Sequence, residues 1–116
     1  MHELHTTQTI LETAIQHAED AQATHVTDLH LINGVLSSYK DESIRLYWEM
    51  VSRGTLCDGA ELHFHHVPAL CICQACGESF SPQLCDEPCP ACSSLSVNLV
   101  QGKEFRLDSI EIERFG

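Results

Sequence analysis

The sequence predicts an α+β fold, a small antiparallel sheet with two helices, interrupted by a compact cysteine-rich insert. Three observations carry this prediction. Two stretches in the first half repeat apolar residues at helical spacing. Stretches of alternating apolar and polar residues stand on both sides of the insert. The block at 69–94 holds most of the seven cysteines and few large apolar side chains.

Leu4, Leu11, Ala14, Ile15 and Ala18 recur at three- and four-residue intervals, so 4–22 reads as an amphipathic helix. Segment 25–32 is rich in Val, Leu and Ile and reads as a strand, with Asn33-Gly34 as its turn. Asp41 is placed to cap a second helix with Ile44, Tyr47, Trp48 and Val51 on one face, and Gly54 stops it after Arg53. In 60–67, Leu62 and Phe64 alternate with His63 and His65, the pattern of a half-solvated strand that Pro68 closes. Leu95, Val97 and Leu99 make another strand, and Gln101-Gly102-Lys103 turns the chain into a last one through Phe105, Leu107, Ile110 and Ile112. The apolar phase of that strand slips at Asp108-Ser109, where a bulge or a change of face is expected. These elements divide the chain into a body, 1–68 with 95–116, and an insert, 69–94. The insert has too little apolar volume to fold without a metal.

The bulk properties remove several classes of function. The 116 residues are 43% hydrophobic, enough for one domain and a satellite. No apolar run approaches the roughly 18 residues of a membrane span. The start lacks the basic and apolar regions of a secretory signal, so the expectation is a cytoplasmic protein. An odd cysteine count fits reduced thiols better than a disulfide framework. Seventeen acidic residues against six Lys and Arg give a formal charge of −11. The segment from Cys71 to Val100 has no Lys or Arg, which argues against nucleic-acid binding by the insert. An acidic surface suits a basic partner or metal cations instead.

Cys73, Cys76, Cys89 and Cys92 form two CxxC pairs separated by twelve residues. Two such knuckles facing each other build a tetrahedral thiolate cage, the donor set of structural Zn²⁺, and make the insert zinc-ribbon-like. Gly77 follows the first knuckle, where positive φ is often needed, and Pro90 sits inside the second. The same knuckles can hold a redox iron, and a single CxxC can serve as a dithiol couple. Cys57, Cys71 and Cys85 read as buried or free thiols. The sulfur cage does not suit nickel, which prefers nitrogen and oxygen donors.

The start, Met1-His2-Glu3, offers a different donor set. The Met1 amine, the His2 backbone nitrogen and the His2 imidazole can close fused chelate rings, and Glu3 can add a fourth donor. Ni²⁺ and Cu²⁺ displace amide protons in such planar chelates, and Zn²⁺ seldom does. The plain alternative is a surface histidine beside the initiating methionine. His63 and His65 read first as a solvated pair on the polar face of their strand, and His5, His17, His25 and His30 are scattered.

Together these residues resemble the HypA/HybF family, the nickel-insertion accessory proteins of [NiFe]-hydrogenase maturation. The likeness runs through Met1-His2-Glu3, Arg53-Gly54-Thr55, Gly59-Ala60-Glu61-Leu62, both cysteine knuckles and Ser109-Ile110-Glu111-Ile112-Glu113. Ser93 departs from it, standing after Cys92 where Gly is frequent. The resemblance implies transient Ni²⁺ at His2 with Glu3 beside it, structural Zn²⁺ at the four paired cysteines, and no catalytic activity. It implies a HypB-type GTPase and the precursor of the hydrogenase large subunit as partners, with urease maturation as a further role in some members. Two other readings stay open from the cysteines alone: a rubredoxin-like electron carrier and a zinc-ribbon protein-interaction module.

Overall fold

The computed structural model describes residues 2–83 and 87–114. Met1, whose amine belongs to the expected chelate, and Cys85 lie outside the described residues. The elements are α1 (His2–Asp20), β1 (His25–Gly34), α2 (Asp41–Val51), β2 (Glu61–Val67), β3 (Leu70–Cys73), β4 (Ser79–Phe80), β5 (Val97–Gln101) and β6 (Phe105–Glu113). They form two three-stranded sheets, ordered β2-β1-β6 and β4-β3-β5. The chain divides into two compact units. The first is drawn from the chain up to Ile32, from Tyr39–His65 and from Arg106 onward. The second is drawn from Asn33–Ser38 and His66–Phe105.

In the first unit, α1 buries Leu11, Ala14 and Ala18 of the expected stripe together with Thr7 and Ile10, while Leu4 and Ile15 at its edge are half-buried. The helix closes at Asp20, two residues earlier than the pattern suggests. Gln22 takes a left-handed φ of 57°, its N–H donates to Glu19 O, and the Ala23 N–H donates to Ala18 O. These bonds satisfy the last carbonyls in a Schellman turn. On α2, Ile44 and Trp48 are buried one turn apart. The residue before α2 is Lys40 and makes no side-chain cap, so Asp41 sits inside the first turn instead of capping it. There its charge complements the helix dipole.

The two helices pack on each other, and the core between them and the sheet is completed by Val26, Leu29, Leu31 and Leu62. Burial of each Leu stabilises by about 1.5–3 kcal/mol. Asn33-Gly34 stays within β1 instead of turning the chain. Thr24 N–H donates to Glu113 O and Gly34 N–H to Glu104 O, so β1 and β6 run antiparallel. Along β1 and β2 the side-chain pairs Asp28–His63 and His30–His65 advance in the same sense. That direction suits strands joined by the α2 crossover. The exposure of β6 slips phase at Asp108-Ser109, with Leu107 on one side and Ile110 and Ile112 on the other.

The second sheet changes the expected boundary. β5 does not return to the body. It pairs antiparallel with β3, matching Cys71 to Leu99, Ile72 to Asn98 and Cys73 to Val97. β4 lies on the other side of β3, matching Cys71 to Phe80. The insert read as 69–94 therefore extends over 66–105 and takes in Asn33–Ser38. The reason is backbone pairing. A strand chooses its partner by hydrogen bonds to a distant segment, and Leu70–Cys73 alternates too briefly to announce itself as a strand.

Candidate metal centres

The cysteine cage lies wholly in the second unit. Its two knuckles are built alike. Gly77 N–H donates to Cys73 O at 2.9 Å and Cys73 N–H to Glu78 O at 2.8 Å. Ser93 N–H donates to Cys89 O at 2.7 Å and Cys89 N–H to Ser94 O at 2.9 Å. Gly77 has φ of 78° and Ser93 has φ of 63°. Both knuckles thus need a left-handed residue in the same place, and the second meets that need with a side chain attached.

The knuckles bring Cys73 Sγ within 3.6 Å of Cys92 Sγ and Cys76 Sγ within 3.7 Å of Cys89 Sγ. All four sulfurs lie within 4.8 Å of one another. A tetrahedral ion with sulfur at roughly 2.3 Å sets its ligands about 3.8 Å apart. The spacing fits that ion and is far too long for an S–S bond of about 2.05 Å. Cys73 and Cys89 are buried, and Cys76 and Cys92 are exposed.

The backbone N–H groups of Cys76 and Ala75 pull the Cys73 thiol down to about 6, with Cys76 contributing most. Cys76 is pulled down by the Glu78 N–H, but burial and the neighbouring thiols outweigh that and push it up to about 12. For Cys92 the Ser94 N–H pulls down, and the Cys73 sulfur and burial prevail upward. Before any metal binds, the cluster at neutral pH thus favours a thiolate at Cys73 and protonated sulfurs at Cys76 and Cys92. Zinc binds thiolates, so its uptake must expel protons. Zinc affinity is expected to rise with pH between 6 and 8, with protons appearing in weakly buffered solution on zinc addition. A competing chelator and a pH indicator measure the two effects.

Cys57 is fully buried in the first unit, and burial pushes its thiol up to about 11. It is a small apolar filler there. Cys71 is buried on β3 and belongs to the sheet that supports the cage.

The amino-terminal residues lie in the first unit. His2 is the first residue of α1 and is exposed. Its ring meets Tyr39 edge to face, with centroids 5.1 Å apart. The Tyr39 hydroxyl shares a 3.1 Å hydrogen bond with the Thr6 hydroxyl, which fixes the phenol. A Glu3 carboxylate oxygen lies 3.4 Å from the Lys40 backbone N–H, and Glu3 O accepts the Thr7 hydroxyl at 2.6 Å. The backbone nitrogens of a helix's first turn have no intrahelical acceptor, so the His2 amide is available to a ligand without breaking α1. His2 and Glu3 stand out in the sequence as candidate donors, whereas their neighbours Tyr39 and Lys40 do not. No local pattern could reveal them, since they reach α1 across more than thirty residues.

The histidines at 63 and 65 do sit on the polar side of β2, and His30 of β1 joins them, although it reads as scattered in the sequence. His63 Nε2 lies 2.7 Å from Asp28 Oδ2. That hydrogen bond is the main reason that His63 titrates above and Asp28 below the ordinary value.

The comparisons with known proteins agree with one another. A family model described as hydrogenase/urease nickel incorporation, metallochaperone, hypA, matches residues 1–112. The hydrogenase maturation factor HypA of Dehalococcoides mccartyi strain CBDB1 is 33% identical over 113 residues, covering 97% of this chain and 95% of the relative. That of Geobacter sp. strain M21 is 35% identical over 113 residues, covering 97% of this chain and all of the relative. Among solved structures, a HypA solution structure superposes with a TM-score of 0.74 at 25% identity, over 97% of this chain and 96% of that one. The Helicobacter pylori nickel metallochaperone HypA shares the fold, with a TM-score of 0.69 at 24% identity over 97% of this chain and 98% of that one. With a family match over nearly its whole length and relatives of equal extent, the chain belongs to the HypA family of nickel-incorporation metallochaperones for hydrogenase and urease.

Proposed function

We propose that this chain carries Ni²⁺ at its amino terminus and keeps Zn²⁺ in the Cys73, Cys76, Cys89 and Cys92 cage for architecture. The Met1 amine, the His2 amide nitrogen and the His2 imidazole hold the nickel, with Glu3 beside them. Delivery is to the precursor of the hydrogenase large subunit, with a HypB-type GTPase as helper, in the cytoplasm. The protein moves an ion and catalyses no covalent step.

The observation that carries this reading is the placement of His2. Its imidazole is exposed on the first turn of α1 and rests against Tyr39. Nitrogen and oxygen donors suit nickel, and the sulfur cage suits zinc, so the two ions do not compete for one site. The positive end of the helix dipole opposes a cation there. The negative charge of Glu3 and of a deprotonated amide offsets that opposition. Weak holding is what a cargo requires.

Calorimetry with Ni²⁺ on untagged protein with a native terminus tests the reading. His2→Ala is expected to weaken nickel binding at that site by at least about tenfold. Affinity in the parent protein is expected to rise with pH, because the amine, with an ordinary pKa of about 7.7–8.0, must lose its proton. Equal nickel uptake by parent and variant would remove His2 from the site.

A further inference from the structure

The solvent face of the β2-β1-β6 sheet gathers six metal-ligating side chains. Alternation along each strand sends Leu29, Leu31 and Leu62 into the core and turns Asp28, His30, Glu61, His63 and His65 the other way. β6 adds Glu111, whose carboxylate lies 2.7 Å from His30 Nε2. His63 Nε2 is 2.7 Å from Asp28 Oδ2 and 3.8 Å from Glu61 Oε2. The three donor atoms of Asp28, Glu61 and His63 all fall within 4.8 Å of one another.

We propose that Asp28, Glu61 and His63 form a second, exchangeable site for a divalent first-row transition ion. The geometry fits such an ion. Two donors each about 2.1 Å from a metal stand about 3.0–3.4 Å apart, and the measured 2.7 and 3.8 Å bracket that range. The donor chemistry selects the ion class. Magnesium and calcium prefer sites made of oxygen alone, whereas imidazole draws zinc, copper and nickel.

His63 is also pre-aimed. The His30 ring stacks on it at 4.7 Å with an interplanar angle of 16°, and His30 is itself held between His65 at 3.0 Å and Glu111 at 2.7 Å. A ligating imidazole normally depends on such second groups for its orientation. Asp28, Glu61 and Glu111 put three carboxylates on this face, which favours a cation, and the nearby Arg45 guanidinium is engaged by the Leu62 carbonyl at 3.1 Å and the Phe64 ring. Three protein donors on an open sheet face leave positions for water, so an ion held there exchanges readily. His30, His63 and His65 stand on rigid strands, whereas the amino-terminal chelate hangs on the first residues of a helix.

The sheet site shares no residue with the amino-terminal chelate, so removing His2 isolates it. Zinc-loaded full-length protein carrying His2→Ala is titrated with Ni²⁺ by calorimetry, while histidine side-chain NMR signals are followed. One further equivalent of Ni²⁺ is expected, with paramagnetic broadening strongest at His63 and next at His30. Adding His63→Gln or Asp28→Asn is expected to weaken that equivalent by at least about tenfold, and adding His17→Ala to leave it unchanged. Glu61→Gln, at a side chain 71% exposed, repeats the comparison without risk to the core. No nickel uptake in the His2→Ala protein, undiminished uptake after Glu61→Gln and His63→Gln, or broadening centred on other histidines would each overturn the proposal. Failure of the terminal chelate would appear separately, as equal stoichiometry in the parent and His2→Ala proteins.

Discussion

Replacing Cys73 or Cys92 with serine is expected to abolish the ordered structure of the second unit while leaving the helices of the first intact. The expectation follows from what each unit buries. Among the described residues, the buried apolar side chains of the second unit are Ala69, Cys71, Cys73 and Cys89, none larger than cysteine. Ile72, Leu95 and Val100 of the same unit are exposed. Such a core cannot offset the conformational entropy of ordering its strands. A structural zinc contributes on the order of 10 kcal/mol, and both knuckles must present thiolates to receive it. The first unit stands on different ground, with Leu11, Val26, Leu29, Leu31, Ile44, Trp48 and Leu62 buried together. Far-UV circular dichroism of the variants should therefore retain its helical signal. Amide resonances of β3 and β5 should collapse toward random-coil positions. Cys57 provides an internal control. Its buried thiol should stay slow toward a thiol reagent after zinc is chelated, while the cage sulfurs react at once. Fast labelling of Cys57, or loss of the α1 and α2 signals, would show that the two units fold only as one.

Much of this was legible in the residues before any coordinates, and the boundary of legibility has a physical cause. The helix faces were readable because side chains one turn apart are neighbours by geometry, as with Ala14 and Ala18 or Ile44 and Trp48. The four-sulfur cluster was readable because two chelating knuckles impose a spacing on the chain. The phase slip of β6 was readable because period-two alternation leaves no freedom to hide a change of face. What escaped is pairing at a distance. Whether β5 joins β3 or the body depends on backbone hydrogen bonds that any residue can make. Whether His30 is scattered or stacked on His63 depends on which strand lies beside β1. The edge of Tyr39 against His2 depends on the turn that precedes α2. His2 and Glu3 were thus visible as candidate donors, but the groups that lie against them were not. Asn33-Gly34 misled for the same reason. The dipeptide has the composition of a turn, yet here it continues a strand because another backbone approaches it.

That approach makes Gly34→Ala the second large effect. A Cβ on Gly34 would stand 2.2 Å from the Gly102 carbonyl oxygen, 2.3 Å from its carbon and 2.8 Å from the Lys103 nitrogen. All three are backbone atoms, so no side chain can rotate away. The two segments are also tied together, by Gly34 N–H to Glu104 O at 2.7 Å and Leu36 N–H to Gly102 O at 2.7 Å. A methyl group at this position must break those bonds or displace the turn at Gly102. Gly102 is itself closely approached from its other side, since a Cβ built on it would stand 2.8 Å from the Ala69 Cα, so a shift of the turn in that direction meets Ala69. The expected cost is at least about 3 kcal/mol, at the upper end for overpacking. Gly54 and Gly59 supply the comparison. Both have positive φ, 75° and 78°, but a Cβ on either meets nothing within 4 Å. Alanine there should cost only about 1 kcal/mol, from the backbone angle alone. Denaturant titration of the three alanine variants, with zinc held in excess, ranks them. A Gly34→Ala protein no less stable than Gly54→Ala would mean that the close approach of these two backbones is not what joins Asn33–Ser38 to the second unit.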